Sequence, residues 1–300
     1  MILEFWQGAG DPVRGLAVVV RAVATIGALG AAGSALFLVF LSERLAADEA
    51  RAARRWTVVF VFLALIGGAA LWPFRAIELS GAREGMARWQ LYSQIARSAF
   101  GEASLIVAAG LGLVLFSRVR ATWGAGIGTA GALLVAIGLA LSGHGEGHRM
   151  RQEVLVLAVV HVFAAAFWVG SLLPLRNVAL RRDPRSAAEA ILAWSRHAMV
   201  FAVLTVAAGA VLALLFAGAP TAWIRSGYGG TMIAKSVFVA AMLLGALACR
   251  FKHVRLMERG DVLAGDALHR SSGRQFLFAL VVLYATAELA SAELPALSTR

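Results

Sequence analysis

Three histidines and one methionine lie within a single stretch of the chain, between residues 141 and 175. His144, His148 and Met150 fall in a short polar segment between two hydrophobic runs, and His161 lies seven residues past the start of the second run. Imidazole and thioether groups are ligands that copper accepts. Because an ionisable residue inside a membrane helix is a functional hypothesis by default, the pattern predicts a copper-binding mouth formed by these four residues.

The composition indicates which solvent this segment meets. The chain has 300 residues, of which 60% are hydrophobic and 15% charged, so the bilayer is its expected solvent. One cysteine excludes an intramolecular disulfide framework. The net charge of +11 does not indicate a nucleic-acid partner, because the arginines lie between hydrophobic runs, where lipid headgroups and insertion rules account for them.

Eight hydrophobic runs approach the ~20 apolar residues that a membrane-spanning helix needs. The sequence therefore predicts an all-α integral membrane protein, a single polytopic domain over residues 1–300. The eighth run has a short apolar middle. The runs are Leu16–Leu41, Trp56–Leu71, Ile95–Phe116, Trp123–Leu141, Val154–Leu175, His197–Phe216, Thr231–Cys249 and Gln275–Ala292.

The distribution of Lys and Arg predicts the orientation of the bundle. The segments after the first, third, fifth and seventh runs hold 17 of these residues, and the segments after the second, fourth and sixth hold 6. Cytoplasmic loops carry the excess of positive charge. Both termini and the histidine-rich segment are therefore expected on the outer, periplasmic side of the inner membrane.

Several other polar residues should share the outer level with the histidines. His161 lies ~10 Å below the start of its run at helical rise, and Glu102 lies at a similar depth in the third run. Met232 and Lys235 open the seventh run from the same side. A charge in hydrocarbon costs at least ~2.5–3.5 kcal/mol. Glu102 therefore needs a cation, a hydrogen-bonding partner or water. A metal on the pathway would supply one, and an ion pair, for example with Arg97 or Lys235, would serve equally.

Each of these histidines also has an ordinary structural interpretation. A single buried histidine more often forms a structural hydrogen bond than binds metal. His144 and His148 are four residues apart, a separation that suits one metal in a helix, but glycines interrupt the segment. Glu146 would favour Cu(II) and Met150 would favour Cu(I), so both oxidation states stay open.

The seventh run carries a second pattern. At about 3.6 residues per turn, Met232, Met242, Cys249 and His253 fall within one stripe, provided that the helix continues past Cys249. Thioether, thiolate and imidazole are donors that Cu(I) prefers, so the stripe is a candidate pathway. Methionine is also an ordinary packing residue, and His253 is flanked by cationic residues that would keep it solvated.

Short motifs in the second half resemble the copper resistance protein D (CopD) family of inner-membrane proteins. They are LSGH, HVFAAAFWVGSLLPL and YGGTMIAK, beginning at Leu141, His161 and Tyr228, and the likeness is best from about 142 to 295. The resemblance implies an eight-helix bundle that handles copper, often beside a periplasmic copper-binding protein called CopC. It points to His144, His161 and Trp168, with Tyr228 and Lys235 as structural signature residues.

The chain also departs from that family pattern at two positions. Cys249-Arg250 stands where the family has an Asn-Arg pair, and Gln275 stands where a glutamate is common. Any role of those two family positions is therefore in doubt for this chain.

The sequence favours copper transport across the inner membrane, directed inward, without ATP hydrolysis, since no phosphate-binding GxxxxGKS/T loop is visible. No enzymatic activity is expected. Two alternatives stay open: a non-transporting copper chaperone or assembly factor, and a haem-binding electron-transfer protein. The haem would use His144 or His161 at the outer side and His197 with His253 at the inner side. Helix faces rich in glycine and alanine permit a homo-oligomer but do not require one.

Overall fold

A computed structural model of the protein describes residues 11–117, 123–143, 151–217 and 227–291. Within these ranges all regular elements are helical. In chain order they are α1 (Pro12–Leu41), a 3₁₀ turn (Ser42–Arg44), α2 (Ala47–Ser80), a second 3₁₀ turn (Arg83–Ala87), α3 (Trp89–Ala96), α4 (Ala99–Phe116), α5 (Gly124–Leu141), α6 (Arg151–Val178), α7 (Pro184–Ala217), α8 (Gly227–Ala248), a π-helical turn (Cys249–His253), α9 (Val254–Glu258) and α10 (Val262–Leu289).

Seven stretches of the described chain are long and apolar enough to cross a membrane, which confirms the all-α integral membrane protein. They are Pro12–Arg44, Ala47–Ser80, Ala99–Phe116, Gly124–Leu141, Gln152–Val178, Pro184–Phe216 and Gly227–Glu258. The eighth predicted run corresponds to α10. That helix has 28 residues, which is long enough to span, but it is not among the seven because its first half is polar.

The hydrophobic runs located the helices but predicted several of their boundaries wrongly. Helix α7 begins at Pro184, well before the predicted His197, because the Asp183 carboxylate accepts hydrogen bonds from the backbone N–H groups of Arg185 and Ser186 at 3.1 and 3.3 Å. The segment between the seventh and eighth predicted runs, from Cys249 to Gln275, is also largely helical, and only residues 259–261 connect α9 to α10. Polar turns extend these helices beyond the part that hydropathy detects.

Helix α1 lies at the centre of the bundle and packs against α2, α5, α6 and α10. Its middle is made of small buried residues, which allow neighbouring backbones to approach closely. At the α1–α6 contact, a Cβ atom on Gly33 would lie 1.7 Å from the Ala166 carbonyl oxygen. On the other helix, a Cβ atom on Gly170 would lie 2.6 Å from the Cα atom of Gly33. This crossing therefore requires glycine on both helices.

The two ends of the bundle are each fixed by arginine hydrogen bonds. At one end, here called the Arg181 end, the Arg181 guanidinium binds both carboxylate oxygens of Glu49 at 2.6 Å and the Arg44 carbonyl oxygen. At the opposite end, called the Ser142 end, Arg21 donates to the Ala290 carbonyl oxygen at 2.9 Å. The start of α1 and the end of α10 therefore lie at the same end of the bundle.

Candidate metal site at His161

His161 lies in α6 near the Ser142 end and faces α7. Its Nδ1 atom is 2.8 Å from the backbone carbonyl oxygen of Thr205. The imidazole ring lies directly over Gly209, where a Cβ atom would approach Cε1 to 2.8 Å and Nδ1 to 2.9 Å. The ring is therefore fixed in position by one hydrogen bond and by the absence of a side chain at residue 209.

The hydrogen bond also sets the tautomer of His161. A carbonyl oxygen only accepts, so Nδ1 carries the proton and a neutral ring has its lone pair on Nε2. No residue in the described ranges forms a hydrogen bond with Nε2. A histidine that binds a metal commonly donates its other N–H to a backbone carbonyl, which fixes the ring. The geometry of His161 is thus compatible with metal binding through Nε2.

Lys235 on α8 lies within electrostatic range of His161. The ammonium group is close enough to act electrostatically on the imidazole, as their common level in the sequence predicted. A fixed positive charge opposes a metal cation at Nε2. Copper binding at His161 therefore has to overcome this repulsion or displace the Lys235 proton.

Glu102 lies elsewhere in the bundle. It belongs to the first turn of α4, and its side chain is exposed on the surface of the bundle. Helix α4 packs chiefly against α5, whereas α6 packs against α1 and α7. Among the described residues, neither of the predicted ion pairs with Arg97 or Lys235 forms; those present are Arg75–Glu78 and Arg181–Glu49. The structure does not bring Glu102 and His161 together.

The helix carrying the sulfur stripe does continue past Cys249, as predicted, and ends at Glu258. It is not a regular α-helix there, because residues Cys249–His253 form a π-helical turn. The predicted angular positions beyond Cys249 assumed α-helical periodicity and are therefore wrong. π-helical turns occur frequently at functional sites.

The members of the stripe have different surroundings. Met232 packs in a small cluster with Tyr228 and Leu289 near the Ser142 end. Met242 is buried in the main core. Cys249 lies beside Gln275, whose Nε2 atom is 3.9 Å from the Cys249 sulfur, and His253 is half-buried. The stripe is partly a packing surface, and Cys249 contacts the polar side chain of Gln275.

Three of the predicted ligands, His144, His148 and Met150, lie outside the described residues. In the ranges that are described, no group of three or more His, Cys, Asp or Glu side chains converges in a manner that would hold a metal ion. Within those ranges, His161 is therefore the predicted outer ligand whose geometry suits metal binding.

Of the two histidines predicted as an inner haem pair, His197 and His253, the first makes structural contacts. The Nδ1 atom of His197 is 3.0 Å from the Ala193 carbonyl oxygen. Its ring stacks on Phe40 with centroids 4.7 Å apart. Such contacts are those of a packed, hydrogen-bonded histidine, the interpretation that the sequence left open for every single histidine.

Sequence reasoning missed the groups that position His161. The backbone carbonyl of Thr205 accepts the hydrogen bond, and Gly209 leaves room for the ring because it has no side chain. Both residues are separated from His161 by more than 40 residues. Backbone groups carry no residue-type signal, so nothing in the sequence pointed to Thr205. The one available signal was that residues 205 and 209 lie one helical turn apart.

Two family models match the chain. Residues 11–149 match the copper resistance protein D-like N-terminal domain, and residues 188–289 match copper resistance protein D. Searches of curated proteins and of solved structures gave no match.

The helices define a multi-pass α-helical membrane protein. With both family models matched in order along the chain, it belongs to the copper resistance protein D family and is a copper-resistance-related membrane protein. The family that the motifs at Leu141, His161 and Tyr228 indicated is thereby confirmed.

Proposed function

We propose that the protein transports copper across the bacterial inner membrane, inward, with His161 as a ligand on the route. It acts as a transporter and catalyses no chemical reaction on the ion. The observation that carries the proposal is the hydrogen bond of 2.8 Å from His161 Nδ1 to the Thr205 carbonyl oxygen. This bond leaves the Nε2 lone pair available to copper inside a membrane-spanning helix.

The route begins outside the described residues. The sequence assigns capture of copper to His144, His148 and Met150, in the segment that precedes α6. His161 lies ten residues into α6, so an ion that reaches it has moved ~15 Å along the bundle from the start of that helix. Glu102 stays a sequence-based prediction for the entrance, since its exposed side chain is separate from His161.

The orientation of the bundle rests on charge, whereas the inward direction rests on the family resemblance and on the histidines expected at the outer side. The excess of Lys and Arg in alternate connections places the Arg181 end in the cytoplasm, and the Ser142 end then faces the periplasm. A periplasmic CopC-like protein is the partner that this orientation and the family support, because it would deliver copper to the Ser142 end.

The first experiment is copper binding to the purified full chain in detergent. His161→Ala should weaken the affinity for copper at least tenfold, because Nε2 is lost while the α6–α7 packing beside Gly209 tolerates a smaller side chain. His197→Phe is the matched control, since His197 stacks on Phe40 and should leave copper affinity unchanged.

Three results would change the assignment. Equal copper affinity in the parent and in His161→Ala would remove His161 from the route. Copper binding that depends on His161, without any movement of copper across a membrane, would make the protein a copper chaperone. A visible absorption band that shifts on reduction and disappears in His197→Phe would instead indicate a haem protein.

A further inference from the structure

A partly open cavity lies near the Arg181 end, at the other end of the bundle from the predicted copper-binding mouth. It has a volume of about 90 Å³ and lies between α6, α7, α8 and α10. Most of its wall is apolar. Cys249, the single cysteine of the chain, lines it from the end of α8, and Met199 lines it from α7. Two sulfur-containing side chains from different helices thus share one cavity.

Two polar groups in the same wall have no hydrogen-bond partner. The Nε1 atom of Trp168 and the Oε1 atom of Gln275 are both buried and unpaired within the described part of the chain. Each residue is 5% exposed and each lines the cavity. A buried polar group without a partner costs about 1–3 kcal/mol. Such groups around one cavity indicate that a ligand completes it.

The thiol of Cys249 is held at the edge of this space. The Gln275 Nε2 atom is 3.9 Å from the sulfur. The π-helical turn begins at Cys249, so the helix changes from α to π geometry at the residue whose sulfur lines the cavity. This contact fixes a thiol in place beside the unpaired Trp168 N–H and Gln275 oxygen.

Charge decides which ion the cavity accepts. The Arg250 guanidinium lines it and donates to the Ser195 hydroxyl. It forms no ion pair with any carboxylate among the described residues. When a monovalent ion M⁺ replaces the thiol proton, RSH + M⁺ gives RS–M + H⁺, and the total charge beside Arg250 is unchanged. A divalent ion would add one positive charge next to the guanidinium, which is unfavourable in an apolar surrounding.

We propose that this cavity is a second copper site, specific for Cu(I), with the Cys249 thiolate and the Met199 thioether as its ligands. Soft sulfur donors are those that Cu(I) prefers. The Trp168 N–H donates to the thiolate, and the Gln275 oxygen faces the ion as a weak third donor. The identity of the ion rests on the proposed function, whereas the preference for a soft monovalent ion rests on the cavity itself.

The single cysteine makes the test direct, because a thiol reagent reports on one position. The full chain in detergent, without oxygen, is labelled with a maleimide in the presence of Ag(I), a monovalent ion with the same preference for sulfur. One equivalent of Ag(I) should slow labelling at least tenfold, and the same concentration of Zn(II) should slow it less than twofold. Equal protection by Zn(II) would overturn the proposal.

A pair of methionine variants separates the cavity from ordinary binding of silver to a thiol. Met199→Leu should lose most of the protection, because one sulfur is removed from the wall at a residue that is 45% exposed and tolerates substitution. Met86→Leu is the matched control, since Met86 is an exposed methionine outside the cavity. If Met199→Leu is protected as well as the parent, Cys249 binds silver alone and the two-sulfur site is wrong.

X-ray absorption on the Cu(I)-loaded chain gives a second, independent measure. In His161→Ala loaded with one equivalent of Cu(I), it should count two sulfur ligands per copper, and one when Met199→Leu is added to that variant. Two sulfurs that persist when Met199→Leu is added would contradict the assignment of Met199. If His161→Ala loses copper flux but protection of Cys249 does not depend on Met199, the transport proposal is supported and the cavity site is wrong. Met199-dependent protection without any copper flux in the parent would support the cavity site and contradict the transport proposal.

Discussion

His161 shows how a single hydrogen bond prepares a residue for chemistry. Its Nδ1 atom is occupied by the Thr205 carbonyl oxygen, so the free lone pair is on Nε2. The residue type and its depth in a hydrophobic run were readable from the sequence, and both led to the prediction of a ligand. The tautomer was not readable, because the bond that sets it joins residues on two different helices.

Lys235 should act on copper through its charge. Methionine has a side chain of similar volume to lysine but no charge. Lys235→Met therefore removes a positive charge near His161, and the affinity for copper should rise roughly tenfold, corresponding to about 1.4 kcal/mol. Lys235→Arg keeps the charge and is the control, with affinity equal to or below that of the parent. The measurement is a copper titration of each purified variant. Weaker binding by Lys235→Met would show that the amine assists the ion.

At the scale of helices, hydropathy found the elements because membrane spans require long apolar segments. It failed at their ends. Asp183 starts α7 through hydrogen bonds to two backbone N–H groups, and this polar turn is invisible to an average of hydropathy. The π-helical turn at Cys249–His253 was also beyond prediction, since its winding depends on packing against neighbouring helices.

The α1–α6 crossing should be the most sensitive helix contact to an added methyl group. Gly33→Ala places Cβ against the Ala166 backbone, which cannot rotate away, and should lower the free energy of unfolding by about 1–3 kcal/mol. Gly68→Ala in α2 is the matched control, because a Cβ there meets no atom within 4 Å. Its effect should stay within about 1 kcal/mol. Thermal unfolding in detergent compares them, and equal melting temperatures would contradict the close contact.

The connection between α1 and α2 is held by one partly buried ion pair, between Arg181 and Glu49. The hydrogen bonds that the Arg181 guanidinium donates to the Glu49 carboxylate raise the pKa of the guanidinium. It therefore remains charged and would lose its carboxylate partner in Glu49→Ala. That variant should lose about 3 kcal/mol of unfolding free energy. Glu78→Ala, which breaks the exposed Arg75–Glu78 pair, is the control and should lose less than about 1 kcal/mol. Equal losses in chemical unfolding would show that Glu49 is not a buried anchor.

At the scale of the whole molecule, the order of the helices and the family were predictable from sequence, because both depend on patterns that extend over many residues. The α10 helix was the exception: its first half is polar, so its apolar second half alone was recognised. The convergence of Met199, Cys249 and Gln275 on one cavity was not predictable. These residues lie on three helices, and no spacing along the chain relates them.

The most direct test of the transport proposal is copper flux in proteoliposomes that contain the purified full chain. Copper is added outside, and accumulation inside is followed for the parent, His161→Ala and the His197→Phe control at equal protein density. The proposal predicts accumulation in the parent and in His197→Phe, and at least a tenfold slower rate in His161→Ala. Accumulation by His161→Ala at the parental rate would contradict a route through His161.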